Sequence, residues 1–335
     1  MLRVLIVGAG LTGSLCACLL RRALQNRVHI TVWDKSRGTG GRMMTRRAED
    51  SVGADIGAQY ISATEFYRNK HDSLYSELLS AGVFVPMSCP VEGLKQKDDS
   101  LNFVSPDGMG HIVKHFLQQS EAEVQLLRHV TCVSRRGAFW EVEFSEGQSE
   151  AFDAVVLTMP VPQILQLRGD LPESLSLCAG LSEQQGALLS QVQYSSRFGL
   201  VVSFSKDSSL NLPYGFKYVS DSPIVRYLSV EHQKRNLSSL GPSLVVHTSV
   251  SFGAAHLESP LDQVQPIIFE ELQRLLPQLP EQSVLTSVPG CPGHMTVLEK
   301  PLMLLGGDAF THSNFDGCVE SALSLTRELT QRLTH

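Results

Sequence analysis

The sequence predicts an α/β protein that combines a Rossmann-type domain with a second, α+β domain built on a mixed sheet. Residues 4–7 are four consecutive apolar residues that lead into a glycine-rich turn, as in a buried parallel strand. A second predicted strand, residues 29–33, ends at an acidic residue, Asp34. Residues 161–289 instead carry several short β patterns and one long helical pattern.

The glycine-rich turn has G-x-G-x-x-G spacing at Gly8, Gly10 and Gly13. In this pattern the first glycine permits a tight turn, the second lets the backbone approach a pyrophosphate, and the third lets the following helix pack closely on the sheet. Asp34 follows about 20 residues later, where a carboxylate accepts hydrogen bonds from ribose hydroxyls. Because strand, helix and acid stand in register, we interpret the turn as a dinucleotide site.

Composition excludes several function classes. The 335 residues carry a net charge of −6, which argues against a nucleic-acid surface. No apolar run reaches the roughly 18 residues that a membrane span requires. Residues 2–20 are apolar enough to resemble a signal peptide, but cleavage there would remove the glycine turn. We therefore expect this segment to be retained.

The seven cysteines are scattered and form no C-x-x-C pair. Reduced thiols are the expected state, which favours a reducing compartment and a cytoplasmic location. His111 and His115 share one face of a predicted helix, but no third ligand accompanies them. The sequence therefore predicts no metal site.

Two further segments suit contacts with a bound dinucleotide. The loop after the second strand ends in a glycine pair followed by arginine, and Gly41 and Arg42 there suit a second phosphate contact. Residues 54–61 include small residues that let the backbone approach a planar ring, which Gln59 and Tyr60 could reach.

The last predicted strand ends at Asp308, placed to bind ribityl or ribose hydroxyls. Asn314 and Phe315 follow, and then Asp316 and Gly317 at the start of the final helix. The N-terminus of that helix could lie against N1 and O2 of a flavin ring, where its dipole would stabilise the anionic reduced ring.

His247 lies in the middle of a predicted strand, in L-V-V-H-T-S-V. Two interpretations stay open. One is a core histidine whose hydrogen bonds are satisfied inside the protein, which is the commoner case. The other is a histidine that points at a reactive ring.

Together these motifs resemble the renalase family, FAD-dependent proteins of the flavin amine-oxidase superfamily. The resemblance spans nearly the whole chain and is carried by V-L-I-V-G-A-G, G-G-R-M, G-A-Q-Y-I, V-L-T-M-P-V-P and G-G-D-x-F-T-x-S-N-F-D-G-C. It implies a fold like that of p-hydroxybenzoate hydroxylase with non-covalently bound FAD. The FAD contacts that it implies are Thr12, Asp34, Arg42, Gln59, Tyr60, Val130 and Asp308.

The expected domain boundaries follow from this fold. The FAD-binding domain is expected to comprise residues 1–82, 103–162 and 295–335. The substrate domain is expected to comprise residues 83–102 and 163–294.

The resemblance also implies a reaction. Renalases oxidise isomeric dihydronicotinamides, the 2- and 6-dihydro forms of NAD(P), to β-NAD(P)+, and O2 then reoxidises the flavin and gives hydrogen peroxide. Hydride leaves a dihydropyridine for flavin N5 and the ring becomes aromatic, so no general base is needed. We therefore predict no acid/base residue, and the candidate substrate-facing residues are Tyr60, His247, Asn314 and Phe315.

One segment departs from the family pattern. After the long helix near residues 259–276, renalases are expected to carry a strand with a Lys-Trp-Arg cluster, but residues 281–290 contain none of these residue types. If a strand of the substrate domain is missing, as in a splice variant, its sheet would leave the substrate stacking face open to water. The sequence thus predicts a chain that binds FAD but oxidises dihydronicotinamides poorly.

Two other functions compete. An amine oxidase acting on catecholamines would usually have an aromatic cage, but residues 314–318 lack its tyrosine. A secreted, non-catalytic signalling protein would bind a cell-surface receptor, through a segment like residues 224–241. His232, Lys234 and Arg235 in that segment are predicted to form a solvated loop.

Overall fold

The structure is a computed structural model, which describes residues 1–48, 51–93, 99–145, 147–170, 189, 191–192, 195–206, 208–237, 241–279, 295–299 and 302–334. Its backbone divides into two compact units. Unit 1 comprises Met1–Gly41, Val113–Tyr194 and Cys291–His335, and unit 2 comprises Arg42–Ile112 and Ser195–Gly290. The domain boundaries predicted from the sequence concern which residues serve the cofactor, and they stay a prediction.

The described strands are, in chain order, β1 (Leu2–Val7), β2 (Val28–Trp33), β3 (Thr45–Ala48), β4 (Ser51–Asp55), β5 (Ile61–Ala63), β6 (Val85–Pro86), β7 (Val91–Glu92), β8 (Leu101–Val104), β9 (Glu123–Gln125), β10 (Val130–Arg136), β11 (Phe139–Phe144), β12 (Gln148–Phe152), β13 (Ala154–Leu157), β14 (Arg168–Gly169), β15 (Gly199–Ser203), β16 (Phe216–Tyr218), β17 (Val225–Val230), β18 (Ser243–Thr248), β19 (Met295–Glu299) and β20 (Leu302–Leu305).

The described helices are α1 (Leu11–Leu24), α2 (Glu65–Lys70), α3 (Asp72–Ser80), α4 (Gly110–Ser120), α5 (Val161–Leu165), α6 (Glu231–Lys234), α7 (Val250–Ala255), α8 (Leu261–Leu275) and α9 (Phe315–Leu333). Short 3-10 turns cover Gln25–Arg27, Gly41–Met43 and Asp308–Phe310.

Unit 1 is built on a six-stranded sheet in the order β19-β20-β13-β1-β2-β9. All neighbouring strands are parallel except β19, which runs antiparallel to β20. The four apolar residues of β1 that predicted a buried strand are at most 5% exposed. Helix α1 packs against α9, so it is buried on most of its surface rather than along one stripe.

A second sheet of unit 1, in the order β12-β11-β10-β14, contributes to the same core. Trp33 at the end of β2 makes edge-to-face contacts with Phe144 and Phe152, at ring-centroid distances of 4.6 and 5.3 Å. The buried indole of Trp140 donates a hydrogen bond to the carbonyl of Leu302 at 3.0 Å. These contacts join the β10–β12 hairpins to the parallel sheet.

Unit 2 is built on a five-stranded sheet in the order β15-β18-β17-β16-β7, antiparallel except for the β16–β7 pair. Helix α8 buries Val264, Ile268 and Leu272, spaced four residues apart, in the hydrophobic core of this unit. A parallel sheet with helices in one unit and a mixed sheet in the other confirm the predicted fold class.

Two local predictions needed correction. The sequence pattern of residues 65–81, which ends at Gly82, predicts one helix, but the structure has two, α2 and α3, separated by His71. This histidine is buried and stacks on Tyr67, with ring centroids 5.7 Å apart. Pro86, Pro90 and Gly93 predict that residues 83–103 are irregular, but the structure has the short strands β6, β7 and β8 there.

Among the residues that the structure describes, no helix combines the length and apolar character needed to cross a membrane.

The fold predicts that Gly13→Ala destabilises unit 1. A Cβ atom at Gly13 would collide with the carbonyl oxygen of Gly8, so helix α1 would have to move off β1. We expect a loss of about 1–3 kcal/mol in the free energy of unfolding, measured by urea denaturation. The matched control is Gly38→Ala, because a Cβ there meets no atom within 4 Å. Equal stability of the two variants would contradict the close packing.

Candidate cofactor and substrate site

The turn after β1 has the geometry that the glycine pattern predicts. The amide of Gly8 donates to the carbonyl of Trp33 at 2.7 Å, and its φ of 116° is one that glycine adopts most readily. A side chain at Gly8 would lie 2.5 Å from Thr158 Oγ1. The first and third glycines are therefore required by packing within the protein itself.

Gly10 differs from its neighbours, because a Cβ at this position would meet no protein atom within 4 Å. Gly10 is also the N-cap of α1, and no side chain caps that helix or places a negative charge in its first turn. The first-turn amides thus face open space at the positive end of the helix dipole. This arrangement fits a bound pyrophosphate, which is the group the motif predicts.

Asp34 lies at the end of β2 and joins the two glycine loops. Its Oδ2 accepts from the amide of Ala9 and its Oδ1 from that of Ser36, both at 2.8 Å. The amide of Gly40 in turn donates to the carbonyl of Ala9 at 2.9 Å. A carboxylate has about four acceptor positions, so these bonds leave acceptor capacity for ribose hydroxyls.

The residues before β10 lie beside Asp34. The amides of Arg128 and Leu127 donate to the carbonyls of Asp34 and Ser36, at 2.9 and 3.1 Å. Val130, the contact implied by the family resemblance, is buried at the start of β10. The structure therefore brings the Val130 region and Asp34 to the same edge of the sheet of unit 1.

Sequence reasoning missed Thr158, which follows β13. Its hydroxyl donates towards the carbonyls of Val7 and Gly8, at 3.0 and 3.2 Å. Thr12, in the first turn of α1, is also buried. A hydroxyl residue directly after the parallel strand β13 was the available signal for Thr158, since the carboxyl ends of parallel strands meet at one edge of the sheet.

The start of α9 is already capped by the protein. Asn314 Oδ1 accepts from the amide of Gly317 at 2.8 Å, and Thr311 donates to the Gly317 carbonyl at 2.7 Å. A Cβ at Gly317 would collide with the carbonyl oxygen of His312. Phe315 and Asp316 are buried. Asn314 thus has a structural task besides its predicted substrate contact.

The backbone of Asp308 opens a 3-10 turn after β20. Its predicted contact with flavin hydroxyls concerns a side chain that lies outside the described part of the structure. Residues 281–290, where the missing strand was predicted, also lie outside it.

In unit 2, several contacts fix the backbone of residues 55–60, the segment predicted to approach the ring. The amides of Ile56 and Ala58 donate to the carbonyls of Met44 and Arg42, at 3.3 and 2.8 Å. A Cβ at Gly57 would collide with the Arg42 carbonyl, which explains the small residue there. Arg42 itself is exposed at the end of the loop.

His247 also holds this segment. Its Nε2 lies 2.6 Å from the carbonyl oxygen of Ile56, so this ring nitrogen carries the proton that the bond requires. Burial lowers the pKa of His247 below its ordinary value of 6.5, which keeps the imidazole neutral near pH 7. The hydrogen bond within the protein fits the first of the two interpretations, a satisfied histidine.

Tyr60 is half-buried, and its hydroxyl forms a short hydrogen bond with that of Tyr218. Burial, followed by this hydrogen bond, raises the pKa of Tyr60 above its ordinary value of 10. The raised pKa keeps the Tyr60 phenol protonated near neutral pH.

A cluster of four buried charges lies under the same segment. The carboxylates of Asp55 and Glu231 and the cations of Lys234 and Arg235 are at most 2% exposed. Lys234 Nζ lies 2.8 Å from an oxygen of each acid, and Arg235 Nη2 lies 3.1 Å from Asp55 and 2.6 Å from Glu231. The cluster is electrically neutral, with every charge paired.

Further bonds complete this cluster. Asp55 Oδ1 accepts from the amide of Met109 at 2.9 Å and from Thr45 Oγ1, and Ser229 donates to Glu231 at 2.7 Å. Burial alone would raise the pKa of Asp55, but Lys234 and Arg235 hold it below 3.8. The ionised carboxylate therefore stabilises the fold above that pH, and the stabilisation is lost as the pH falls through the lowered pKa.

The prediction that Lys234 and Arg235 belong to a solvated loop was therefore wrong. Helix α6 is a single turn, which places Lys234 and Arg235 three and four residues after Glu231 and so on the same side. Both are buried because Asp55, distant in sequence, lies opposite them. Only His232 of the three stays half-exposed.

Gln59 links this cluster to the backbone of residues 55–60, the segment predicted to approach the ring. Its Nε2 donates to the carbonyls of Asp55 and Gly57, and its Oε1 accepts from Lys234 Nζ at 3.3 Å. The side-chain amide is thus engaged within unit 2. A contact of Gln59 with a flavin would have to come from its backbone or its remaining acceptor position.

Among the described residues, no group of three or more His, Cys, Asp or Glu side chains is arranged to hold a metal ion. The described cysteines, Cys16, Cys18, Cys89, Cys132 and Cys318, form no disulfide bond with one another.

Comparison with known proteins places this architecture in a family. A model of NAD(P)-binding Rossmann-like domains matches residues 6–78, and a model of flavin-containing amine oxidoreductases matches residues 80–289. Renalase of Mus musculus is 41% identical over 98% of this chain and 99% of its own length.

Solved structures agree on the fold. A protein of Exiguobacterium sp. 255-15, described as a protoporphyrinogen oxidase, superposes with a TM-score of 0.72 at 16% identity, over 98% of each chain. An oxidoreductase of Methanosarcina mazei gives a TM-score of 0.67 at 11% identity, over 97% of this chain and 100% of its own.

The fold and the glycine loop together define a flavin oxidoreductase with a Rossmann-type unit. Within that class, the chain belongs to the renalase family of the flavin-containing amine oxidoreductases. The family match indicates a flavin cofactor, as the sequence predicted.

We predict that Gly10→Val abolishes flavin binding and leaves the fold intact. The added side chain would fill the open space in front of α1, where a pyrophosphate is expected, without touching protein atoms. Absorbance of the purified protein near 450 nm, a typical flavin band, measures occupancy, and circular dichroism measures folding. A folded Gly10→Val protein with a full complement of flavin would contradict the assignment.

A second variant tests the buried charges. Lys234→Met leaves Asp55 and Glu231 with one cation between them, so we expect a loss of about 3–5 kcal/mol in stability. The control is Lys217→Met, which removes a partly exposed pair with Glu92 and should cost at most about 1 kcal/mol. Chemical denaturation of both proteins gives the comparison. Similar losses would mean that the cluster is not a buried, interdependent unit.

Proposed function

We propose that this protein is an FAD-dependent oxidase of isomeric dihydronicotinamides, the 2- and 6-dihydro forms of NAD(P). It would release β-NAD(P)+ and hydrogen peroxide. The observation that carries the proposal is the open, uncapped helix start at Gly10, joined through Ala9 to Asp34, in a chain of the renalase family.

The binding roles follow from the contacts of each residue. The amides after Gly10 and the guanidinium of Arg42 would neutralise the phosphates, and Asp34 would hold a ribose. Gly41 and the Val130 region would line the adenosine side. Thr12, Asp308, Asp316 and Gly317 are proposed to complete the FAD contacts from α1 and from the turn and helix after β20. Because two phosphates and a ribose are provided for, FAD is favoured over FMN, and no covalent link is required.

On the substrate side, the proposed reaction requires a surface that orients the substrate, and it requires no residue that transfers a proton. A bound flavin accepts the hydride, and aromatisation of the dihydropyridine drives the step. The protein's task is then to present a rigid, partly dry surface. Gly57, Ala58 and Tyr60 would supply it, since Arg42, His247 and the buried charge cluster hold their backbone.

The experiment is anaerobic rapid mixing of the purified flavoprotein with 6-dihydroNAD, following bleaching of the flavin. We expect bleaching by 6-dihydroNAD and none by adrenaline or dopamine. We expect faster bleaching in a version into which a Lys-Trp-Arg strand is inserted at residues 281–290, because a displacement of about 1 Å can cost roughly 100-fold in rate.

Air should then restore the oxidised spectrum with formation of peroxide. Bleaching by the catecholamines alone would favour amine oxidation instead. Equal rates with and without the inserted strand would show that the short segment is dispensable.

A further inference from the structure

Two arginines lie at the same end of the sheet of unit 2. Arg197 directly precedes Phe198 and β15, and its Nη1 donates to the carbonyl of Thr248 at 3.1 Å. Arg226 lies in β17 at the point where the register with β18 shifts, one residue after Val225, the partner of Thr248. Its Nη1 donates to the carbonyl of Val219 at 3.0 Å. Main-chain oxygens thus anchor both guanidinium groups near the same strand ends.

The two cations lack a neutralising partner within the described part of the chain. Neither forms an ion pair there, and each gives one of its five N–H donors to a carbonyl. Burial and then the charge of Arg226 lower the pKa of Arg197. In contrast, Lys234 and Arg235 of the same unit are both paired with carboxylates. Unpaired guanidinium groups with free donors at the same end of a sheet are suited to an anion with several oxygens.

This end of the sheet lies close in register to His247, one of the candidate substrate-facing residues. Tyr227, the residue after Arg226, is paired with His247 across β17 and β18, and their rings are 5.8 Å apart. Gly199, at the start of β15, is paired with the same histidine. The arginines therefore flank the strand position of His247, whose ring contacts the carbonyl of Ile56 in the segment predicted to approach the flavin ring.

We propose that Arg197 and Arg226 bind the phosphate group nearest to the nicotinamide ribose of the substrate. This inference rests on the proposed function and deepens it, because it makes the phosphate a part of what the enzyme recognises. Free inorganic phosphate has the same chemistry, so it should compete for the site.

The test compares three substrates: 6-dihydro forms of nicotinamide riboside, which lacks a phosphate, of nicotinamide mononucleotide, and of NAD. The concentration dependence of flavin reduction gives an apparent Kd for each. We expect the two phosphorylated substrates to bind at least about tenfold more tightly than the riboside, as charge-assisted bonds allow. Arg197→Gln and Arg226→Gln should remove this difference in apparent Kd and leave the Kd of the riboside unchanged. Arg226→Lys, which keeps the positive charge, should retain part of the difference.

The matched control is Arg274→Gln, because Arg274 in α8 is paired with Glu271; it should alter none of the three constants. Inorganic phosphate should weaken the binding of the mononucleotide and leave the binding of the riboside unchanged. Equal binding of riboside and mononucleotide by the unchanged protein would overturn the site. So would a parallel loss for all three substrates in the Arg197 and Arg226 variants, which would indicate a structural role.

Failure of the proposed function can be distinguished from failure of the arginine site. If none of the three substrates bleaches the flavin, isothermal titration of inorganic pyrophosphate into the flavoprotein decides on the site by itself. Heat of binding that disappears in Arg197→Gln and persists in Arg274→Gln supports an anion site. No binding by the unchanged protein refutes it.

Discussion

The close approach of helix α1 to the end of strand β1 is the constraint on which the rest of unit 1 depends. Gly13 has no side chain, so α1 can begin directly over the Gly8 carbonyl. The hydroxyl of Thr158, which follows the neighbouring strand β13, donates a hydrogen bond to the same carbonyl. This position directs the free amides of the first turn into open space at Gly10. Packing of two glycines thus places the helix start, and the third glycine leaves open the space in which the motif predicts a pyrophosphate.

In unit 2 the equivalent constraint is electrostatic. Removing four charges from water is costly, and the structure offsets that cost only because each acid contacts both cations. Such a cluster tolerates little displacement, since any movement leaves a buried charge unpaired. Through Gln59 this rigidity extends to residues 55–60. A surface that aligns a substrate without donating or accepting protons benefits from this kind of support.

Local sequence patterns predicted those parts of the fold whose geometry depends on residues close together in the chain. The apolar run of β1, the spacing of Gly8, Gly10 and Gly13, and Asp34 at the end of β2 specify one βαβ unit whose geometry varies little. The buried cluster could not be predicted in this way. Asp55 and Glu231 are 176 residues apart, and their pairing with Lys234 and Arg235 exists only in the folded chain. The Asn314 cap shows a related limit, because a side chain with a plausible ligand role is engaged by its own helix.

The most direct test of the account is the identity and attachment of the flavin in the purified protein. After denaturation and ultrafiltration, chromatography of the filtrate should reveal FAD in an amount equal to the protein, because we propose that the Gly10 turn, Arg42 and Asp34 bind its phosphates and ribose without a covalent bond. Release of FMN, flavin that remains with the denatured chain, or protein that binds no flavin after incubation with FAD would contradict it.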